Sequence, residues 1–399
     1  MATTYWLKRD EEIAVQEETT YGTSPGALAG TDFFKATSGH EGFVSKLEEL
    51  PRDRDHDKGQ ASVLEIQTGR KHTEISVSCD LIPSGVTATP TAPDIDLLLK
   101  AIFGTVQTSV AHTTTTSGST GTSLVLTAGG GAASGIGIGD LIAVDVSSTY
   151  GYEVRQVTNV STDTITVDRA FSTDPATGRS VKMGTTYRLS TTTLLSLYFW
   201  LFNADTLRYV VPGAMLNELA LDINYADGVP LGKLGFKGMG QAEAAQSGTS
   251  RPSITTAGSP LGGAICKVFI GATQYRMVSG SLNIKNGNAL RMNESHSMSP
   301  SGVKKTYNGS RFNVELSMDM LLTTGDLDVQ TLYDGTKTLT ARDVIVQIGD
   351  TVGNIVAFRC PVWKPRTPER SDIDGEVGIK LAGRCIGSAG NDEVSLAFI

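Results

Sequence analysis

The chain contains the stretch GRKHTEISVSCDLI, Gly69–Ile82, and after a proline-marked gap the stretch PDIDLLLKAIFGT, Pro93–Thr105. In the first stretch apolar and polar residues alternate, which is typical of a strand with one face in a core and the other in water. In the second stretch the apolar residues follow the spacing of one helix face: Ile95, Leu98, Leu99 and Ile102. Together they predict a strand followed by a helix that lies on the same sheet.

A similar pair of segments occurs later in the chain, as GSRFNVELSMDMLL, Gly309–Leu322, and GDLDVQTLYDGT, Gly325–Thr336. When Arg70 is aligned with Arg311, Glu74 falls on Glu315. Further landmarks repeat in the same order, namely Pro212 with Pro361 and Asp227-Gly228 with Asp374-Gly375. The helix-like part of the second copy is weaker, because Gln330 and Thr331 stand where the first copy has leucines. The repetition predicts a duplicated unit.

Length and composition complete the predicted organisation. A chain of 399 residues is long enough for more than one core. We expect a mainly β fold with a minor α component: two tandem β-sandwich domains, each with a flanking helix, and an inserted small all-β domain. The predicted boundaries are an N-terminal arm at 1–40, a first domain at 41–106 and 187–242, the inserted domain at 107–186, a linker at 243–262 and a second domain at 263–399.

Charge and motifs exclude several classes of function. The net charge of −8 argues against a protein that wraps nucleic acid through phosphate contacts. The four cysteines are widely separated and predict neither a zinc site nor a disulfide framework. Asp53, Asp55 and Asp57 resemble a calcium loop, but Lys58 and Leu64 occupy the positions that need Gly and Glu. We therefore predict no metal, no cofactor, no membrane span and no enzymatic activity.

Several segments together resemble the tail tube proteins of bacteriophages with long, non-contractile tails. They are the opening WLKRDEEIAVQEETTYGT, the strand and helix of Gly69–Gly104, the turn VPGAMLNELALDINYADG and the closing DEVSLAF. The resemblance covers both copies and excludes the insertion. It implies β-sandwich domains with a flanking helix, six of which close into a ring with a continuous inner wall of strands. Stacked rings form the tube through which viral DNA passes.

The resemblance also implies partners and a location. The usual chain of this family has one tube domain, whereas this chain has two by the repeat, so three copies would complete a ring with pseudo-sixfold symmetry. A ring of six copies is the alternative. Tape measure and tail terminator proteins are implied as further partners, the virion tail as the final location, and the host bacterial cytoplasm as the site of assembly.

Two groups of residues are candidate functional sites. The polar face of the duplicated strand has no basic residue from Glu74 to Asp80 or from Glu315 to Asp319, so we expect the acids Glu74, Asp80, Glu315 and Asp319 to line the bore and repel phosphate. A charged loop, Leu47–Gly59, lies before the duplicated strand of the first copy. We expect it to contact the neighbouring ring through Arg52, Asp53, Arg54, Asp55, Asp57 and Lys58.

Another class of protein is compatible with the composition. A β-rich surface adhesin or carbohydrate-binding protein would also explain the abundance of Thr, Ser and Gly in the inserted segment. It would not explain the repeated landmarks. Rings or tubes in electron micrographs would favour the first hypothesis, and dispersed monomers the second.

Overall fold

The computed structural model of the chain describes residues 10–37, 39–51, 66–108, 113–127, 135–147, 151–191, 195–224, 231–246, 250–255, 258, 261, 266–290, 303–305, 312–321, 334–373 and 375–399. Most of these residues lie in antiparallel strands, so the prediction of a mainly β fold is confirmed.

The elements fall into three groups along the chain. Those before and within the insertion are β1 (Glu11–Glu17), β2 (Phe33–Phe34), β3 (Phe43–Pro51), β4 (Ile66–Asp80), α1 (Asp96–Phe103), β5 (Gly104–Gln107), β6 (Thr113–Thr114), β7 (Ser123–Val125), β8 (Leu141–Ser147), β9 (Gly151–Val160), β10 (Thr164–Val167) and β11 (Ser180–Met183). Short 3-10 turns lie at Gly30–Asp32 and Gly39–Gly42. The elements after the insertion are β12 (Thr185–Leu189), β13 (Leu197–Asn203), β14 (Thr206–Asn224), β15 (Leu231–Gln241) and β16 (Ala244–Ala245). The final group is β17 (Cys266–Ile270), β18 (Thr273–Tyr275), β19 (Met277–Lys285), β20 (Asn288–Leu290), β21 (Val303–Lys305), β22 (Asn313–Leu321), a helical turn at 334–337, β23 (Arg342–Ile348), β24 (Val356–Ile373), β25 (Glu376–Cys385) and β26 (Ser395–Phe398).

Eight strands form one continuous antiparallel layer in the order β3-β4-β15-β14-β19-β22-β25-β24. The first four strands, here called the first repeat, pair with one another in the same order as the last four, the second repeat. The two repeats are connected by β14 and β19, which pair from Glu218 opposite Lys285 to Asn224 opposite Ser279. We call this pairing the internal joint.

A second layer covers one face of this eight-stranded layer. It includes β1, β13, β12, β26, β23 and β17, together with α1, and a single apolar core lies between the layers. The helix begins at Asp96, after Pro93 and Asp94, with Leu98, Leu99 and Ile102 buried and Gly104 after its last turn at a φ of 88°. That positive φ suits glycine, which has no Cβ to clash.

The apolar run in β13 has a structural explanation, because both of its faces are buried. Leu197, Phe199 and Leu201 face the main core. Tyr198, Trp200 and Phe202 face the other way, toward a smaller cluster that includes Phe33 and Leu28. The predicted arm at 1–40 is therefore wrong over the described part of that range, because β1 pairs with β13 and residues 28–34 cover its outer face.

The described part of the predicted linker at 243–262 is likewise packed against the first half of the chain. Ala244 and Ala245 pair with β14, and Ile254 packs beside the cluster on the outer face of β13. Arg251 contacts both Glu12 and Asp205. Composition alone indicated a linker because small and polar residues dominate the segment, and composition does not report these few anchoring contacts.

The inserted segment forms a small all-β unit of its own, as predicted. Its strands pair in the order β6-β11-β8-β9-β10-β7, and the sheet closes because Thr116 N donates to Val125 O at 2.7 Å, joining the two ends. Apolar side chains from all sides fill the interior. We call residues 113–183 the insert. Its two connections, β5 and β12, pair with each other, and β12 also pairs with β26.

Candidate functional site

The exposed face of the eight-stranded layer contains all four predicted bore residues. Their neighbours along β4 and β22, such as Ile75, Val77, Leu316 and Met318, point into the core and are buried. Because side chains alternate across a strand, the acids must lie on the opposite face. Glu74 and Glu315 are exposed, and Asp80 and Asp319 are half-buried. The structure therefore brings the four acids to one surface, as the alternation predicted.

Basic residues on neighbouring strands share this face, which corrects the expectation of a purely acidic surface. Directly opposite residues in an antiparallel pair lie on the same face. The pairs include Asp80 with Lys233, Asp319 with Lys380 and Glu315 with Arg384. Glu74 lies 3.5 Å from the ammonium of Lys46. Acids and bases therefore alternate across the layer, and the surface has a mixed charge.

Sequence reasoning missed these basic residues because it considered β4 and β22 alone. A signal was available in LGKLGFKGMG, Leu231–Gly240, where Lys233 and Lys237 alternate with apolar residues. Once that stretch is paired with β4, its lysines must fall beside the acids of β4. Which strands become neighbours depends on pairings between distant segments, and periodicity within one strand does not report them.

The two ends of the eight-stranded layer are open. Among the described residues, β3 pairs on one side only, with β4. Residues 366–373 of β24 also pair on one side only, with β25, in that part of the chain. Val44 on β3 is 44% exposed, as is Leu47. Unpaired backbone N–H and C=O groups at such edges can pair with another strand.

The internal joint identifies what these two ends are. It pairs β14, the last strand of the first repeat, with β19, the first strand of the second repeat. By the order of pairing, β24 is the equivalent of β14, and β3 is the equivalent of β19. One edge of the eight-stranded layer is therefore β24, the counterpart of β14, and the other edge is β3, the counterpart of β19.

The predicted ring-contact residues lie outside the described part of the chain: Arg52, Asp53, Arg54, Asp55, Asp57 and Lys58. The corresponding segment of the second repeat, 291–305, is described only at Val303–Lys305, which pairs with Asn288–Leu290. The contact of this loop with a neighbouring ring stays a prediction.

The other candidate groups are the potential metal ligands and the cysteines. In the described residues they form neither a metal site nor a disulfide. No cluster of three or more His, Cys, Asp or Glu residues there has a geometry that could hold a metal ion. The cysteines are free thiols. Burial, and secondarily the charge of Asp80, raises the pKa of Cys79 to about 12, which keeps it protonated and unreactive near neutral pH.

No helix in the described ranges has the length and apolar character needed to cross a membrane. Neither a protein-family model nor a curated protein matches the chain.

Proposed function

We propose that the chain is a structural protein that associates with copies of itself, edge to edge, into closed rings that stack into a DNA-conducting tube of a long-tailed phage. The observation that carries this proposal is the pair of matching open ends. In the internal joint, β14 and β19 are already paired within one chain. The same pairing between their counterparts β24 and β3 on different copies would continue the layer without a break. Closure would leave no unpaired edge in the ring.

The repeat favours a ring of three chains. Each chain supplies two repeats of four strands, so three chains supply six repeats. The contact that connects β14 to β19 within a chain and the proposed contact between chains are heterologous, and such contacts generate a ring when the rotation closes. A ring of six chains is the alternative outcome. Tape measure and tail terminator proteins are proposed partners through the resemblance alone.

The mixed charge of the exposed face modifies the proposed mechanism of DNA passage. The insert packs on the second layer, across the core from the exposed face. If the exposed face lines the bore, DNA meets neighbouring acids and bases rather than an acidic wall. Close pairs of opposite charge have a weak field at a distance, so the phosphates would be neither strongly held nor strongly repelled.

Electron microscopy and light scattering test the proposal. The purified chain is concentrated at roughly 1 M salt, where screening reduces charge repulsion beyond ~3 Å. We expect uniform rings or tubes with a central hole and a mass per ring of three chains. Dispersed monomers at every concentration and salt level, both for the natural chain and for the edge variants described below, would refute the function.

A further inference from the structure

The internal joint has a side-chain composition that suits a permanent contact. On its core side, Leu219, Leu221 and Ile223 are buried. Leu221 lies opposite Leu282, which is also buried. On the exposed face, Glu218 lies 3.7 Å from the ammonium of Lys285. Apolar contact on one side and an ion pair on the other both stabilise this pairing.

The pairings within each repeat show which residues of the open edges, β24 and β3, correspond to residues of the internal joint. One row of the first repeat contains Cys79, Leu234 and Leu221. The corresponding row of the second repeat is Met320, Ile379 and Arg370. Arg370 therefore holds the place of Leu221. On the other end, Phe43 pairs with Ile75 as Leu282 pairs with Leu316, so Phe43 holds the place of Leu282.

The same comparison applies to the ion pair on the exposed face. Ser76, Lys237 and Glu218 form one row, and Ser317, Ala382 and Arg366 form its counterpart. Lys46 is the counterpart of Lys285. In the internal joint this position has an acid and a base, Glu218 and Lys285. A contact between copies would have two basic residues there, Arg366 and Lys46.

We infer that β24 of one copy pairs with β3 of the next in the register of the internal joint, and that the charges of Arg370 and Arg366 hold this seam open until it is screened or nucleated. The inference rests on the proposed function and adds its regulation. It names one occupant for the two open edges, a second copy of this chain. The seam is defined here as the pairing of residues 366–371 with residues 42–46 of the next copy.

Three physical effects weaken the seam relative to the internal joint. Arg370 shares the core side of β24 with Ile379 but is exposed in the single chain, and pairing would cover its guanidinium with Phe43 at a cost in solvation. Arg366 would approach Lys46 and repel it, an effect that the nearby Glu74 reduces only in part. Pro365 and Pro368 have no N–H to donate. Charged residues and prolines are common means of keeping an edge strand from pairing prematurely.

The charge effect is tested by replacing Arg370 with the residue of the internal joint. We expect Arg370→Leu to lower the protein concentration at which rings appear by about tenfold, the equivalent of ~1.4 kcal/mol. Arg370→Gln, which removes the charge without adding apolar surface, should have a smaller effect in the same direction. The control is Arg276→Leu, an exposed arginine at neither open edge. Added salt should promote ring formation by the natural chain more than by Arg370→Leu.

The register is tested by cysteine pairs. Glu369 is the counterpart of Ala220, which lies opposite Asn283, and Val44 is the counterpart of Asn283. We expect Val44→Cys with Glu369→Cys to form disulfides between copies in assembled rings, because opposite Cβ atoms lie ~4.5–5.5 Å apart. Val44→Cys with Ser371→Cys is offset by two residues and should not link.

Two controls accompany the cysteine pairs. Ala220→Cys with Asn283→Cys should link within a single chain, which verifies the geometry at the internal joint. The parent chain, with its four native cysteines, gives the background.

The outcomes separate the seam from the function. Rings without a link at 44 and 369, or with a link only at 44 and 371, would overturn the seam while leaving the tube proposal intact. The proposed role of the arginine charges would be overturned if positions 44 and 369 link but Arg370→Leu does not change the concentration at which rings appear. This outcome counts only if the circular dichroism of the variant is unchanged. The absence of both rings and links between copies in every variant, with the internal 220–283 link formed, would overturn both the seam and the proposed function.

Discussion

At the scale of single residues, Arg155 connects the insert to the second half of the chain. Its guanidinium donates to the Glu153 carboxylate at 2.8 Å and to the carbonyl of Val154 at 2.8 Å. It also lies over the rings of Phe171 and Phe269, at 5.1 and 4.5 Å from their centroids. Burial lowers the pKa of Arg155, and Glu153 offsets part of that effect. The side chain is therefore buried, paired with Glu153 and packed between two aromatic rings.

Removing this guanidinium should be far more costly than removing an exposed one. We expect Arg155→Met to destabilise the chain by about 3–5 kcal/mol, because Glu153 would be left buried without its counter-charge. The control, Arg179→Met, breaks a partly exposed pair with Asp145 and should cost less than ~1 kcal/mol. Urea unfolding monitored by fluorescence compares the two variants. Similar unfolding midpoints would contradict this account.

A second residue predicts how stability depends on pH. Partial burial by itself would raise the pKa of Asp392, but hydrogen bonds from the Ser388 hydroxyl and from the N–H groups of Ala389 and Ser388 outweigh it and leave the pKa below its ordinary value. A lowered folded-state pKa stabilises the fold above the unfolded-state pKa of ~4, and the stabilisation is lost as the pH falls through the folded-state value.

The pH dependence is tested with Asp392→Asn. The variant should unfold at a lower temperature than the natural chain at pH 7, and the difference should shrink as the pH falls below ~4. Glu376→Gln, at an exposed position on β25, is the control and should change neither value. A difference in unfolding temperature that is the same at both pH values would show that the Asp392 carboxylate charge is not involved.

At the scale of elements, the two halves of the second layer are covered in different ways. In the first half, residues 28–34 and Ile254 cover the outer face of β13. In the second half, Leu141, Ala143 and Val154 of the insert pack on an apolar cluster from β24, β26 and their flanks: Ile355, Ala357, Ala397 and Ile399. Gln347 of β23 accepts from Val154 N at 2.9 Å and donates to the carbonyl of Tyr152 at 2.8 Å. The insert is thus a structural cover for the second half of the chain.

This arrangement predicts that the insert cannot be removed without consequence. Gln107 lies opposite Thr186 in the pairing of β5 with β12, so a two-residue Asn-Gly turn can replace residues 108–185. We expect the shortened chain to bind a hydrophobic dye and to aggregate, because the apolar cluster beneath the insert would face water. A soluble, non-aggregating product with the unfolding temperature of the parent would show that the insert is only an external decoration.

At the scale of the whole molecule, the internal joint changes the cost of building a ring. Half of the lateral contacts in a ring of three chains would lie within a chain, where no translational freedom is lost on pairing. These contacts contain the apolar and ion-paired residues. The weaker contacts would lie between chains, where strong ones would cause association at the wrong time. The division keeps single chains separate while allowing a nucleated ring to close.

Much of the local structure followed from the sequence. The alternation in Gly69–Ile82 determined that Ile75 and Val77 face a core and Glu74 faces water. The spacing of α1 and Gly104 determined the helix and its end. These features depend on residues two to four positions apart, whose geometry the backbone sets directly.

The remaining features were decided by contacts between distant parts of the chain. The sequence showed two related copies, but only the tertiary structure joined them through β14 and β19 and left β3 and β24 as open ends. It placed Lys233 beside Asp80 and so changed an acidic strand into a surface of mixed charge. It also put the insert over the second half of the chain. The physical reason is that periodicity defines which face of a strand is buried, whereas the neighbours of that strand depend on pairing with segments far away in the sequence.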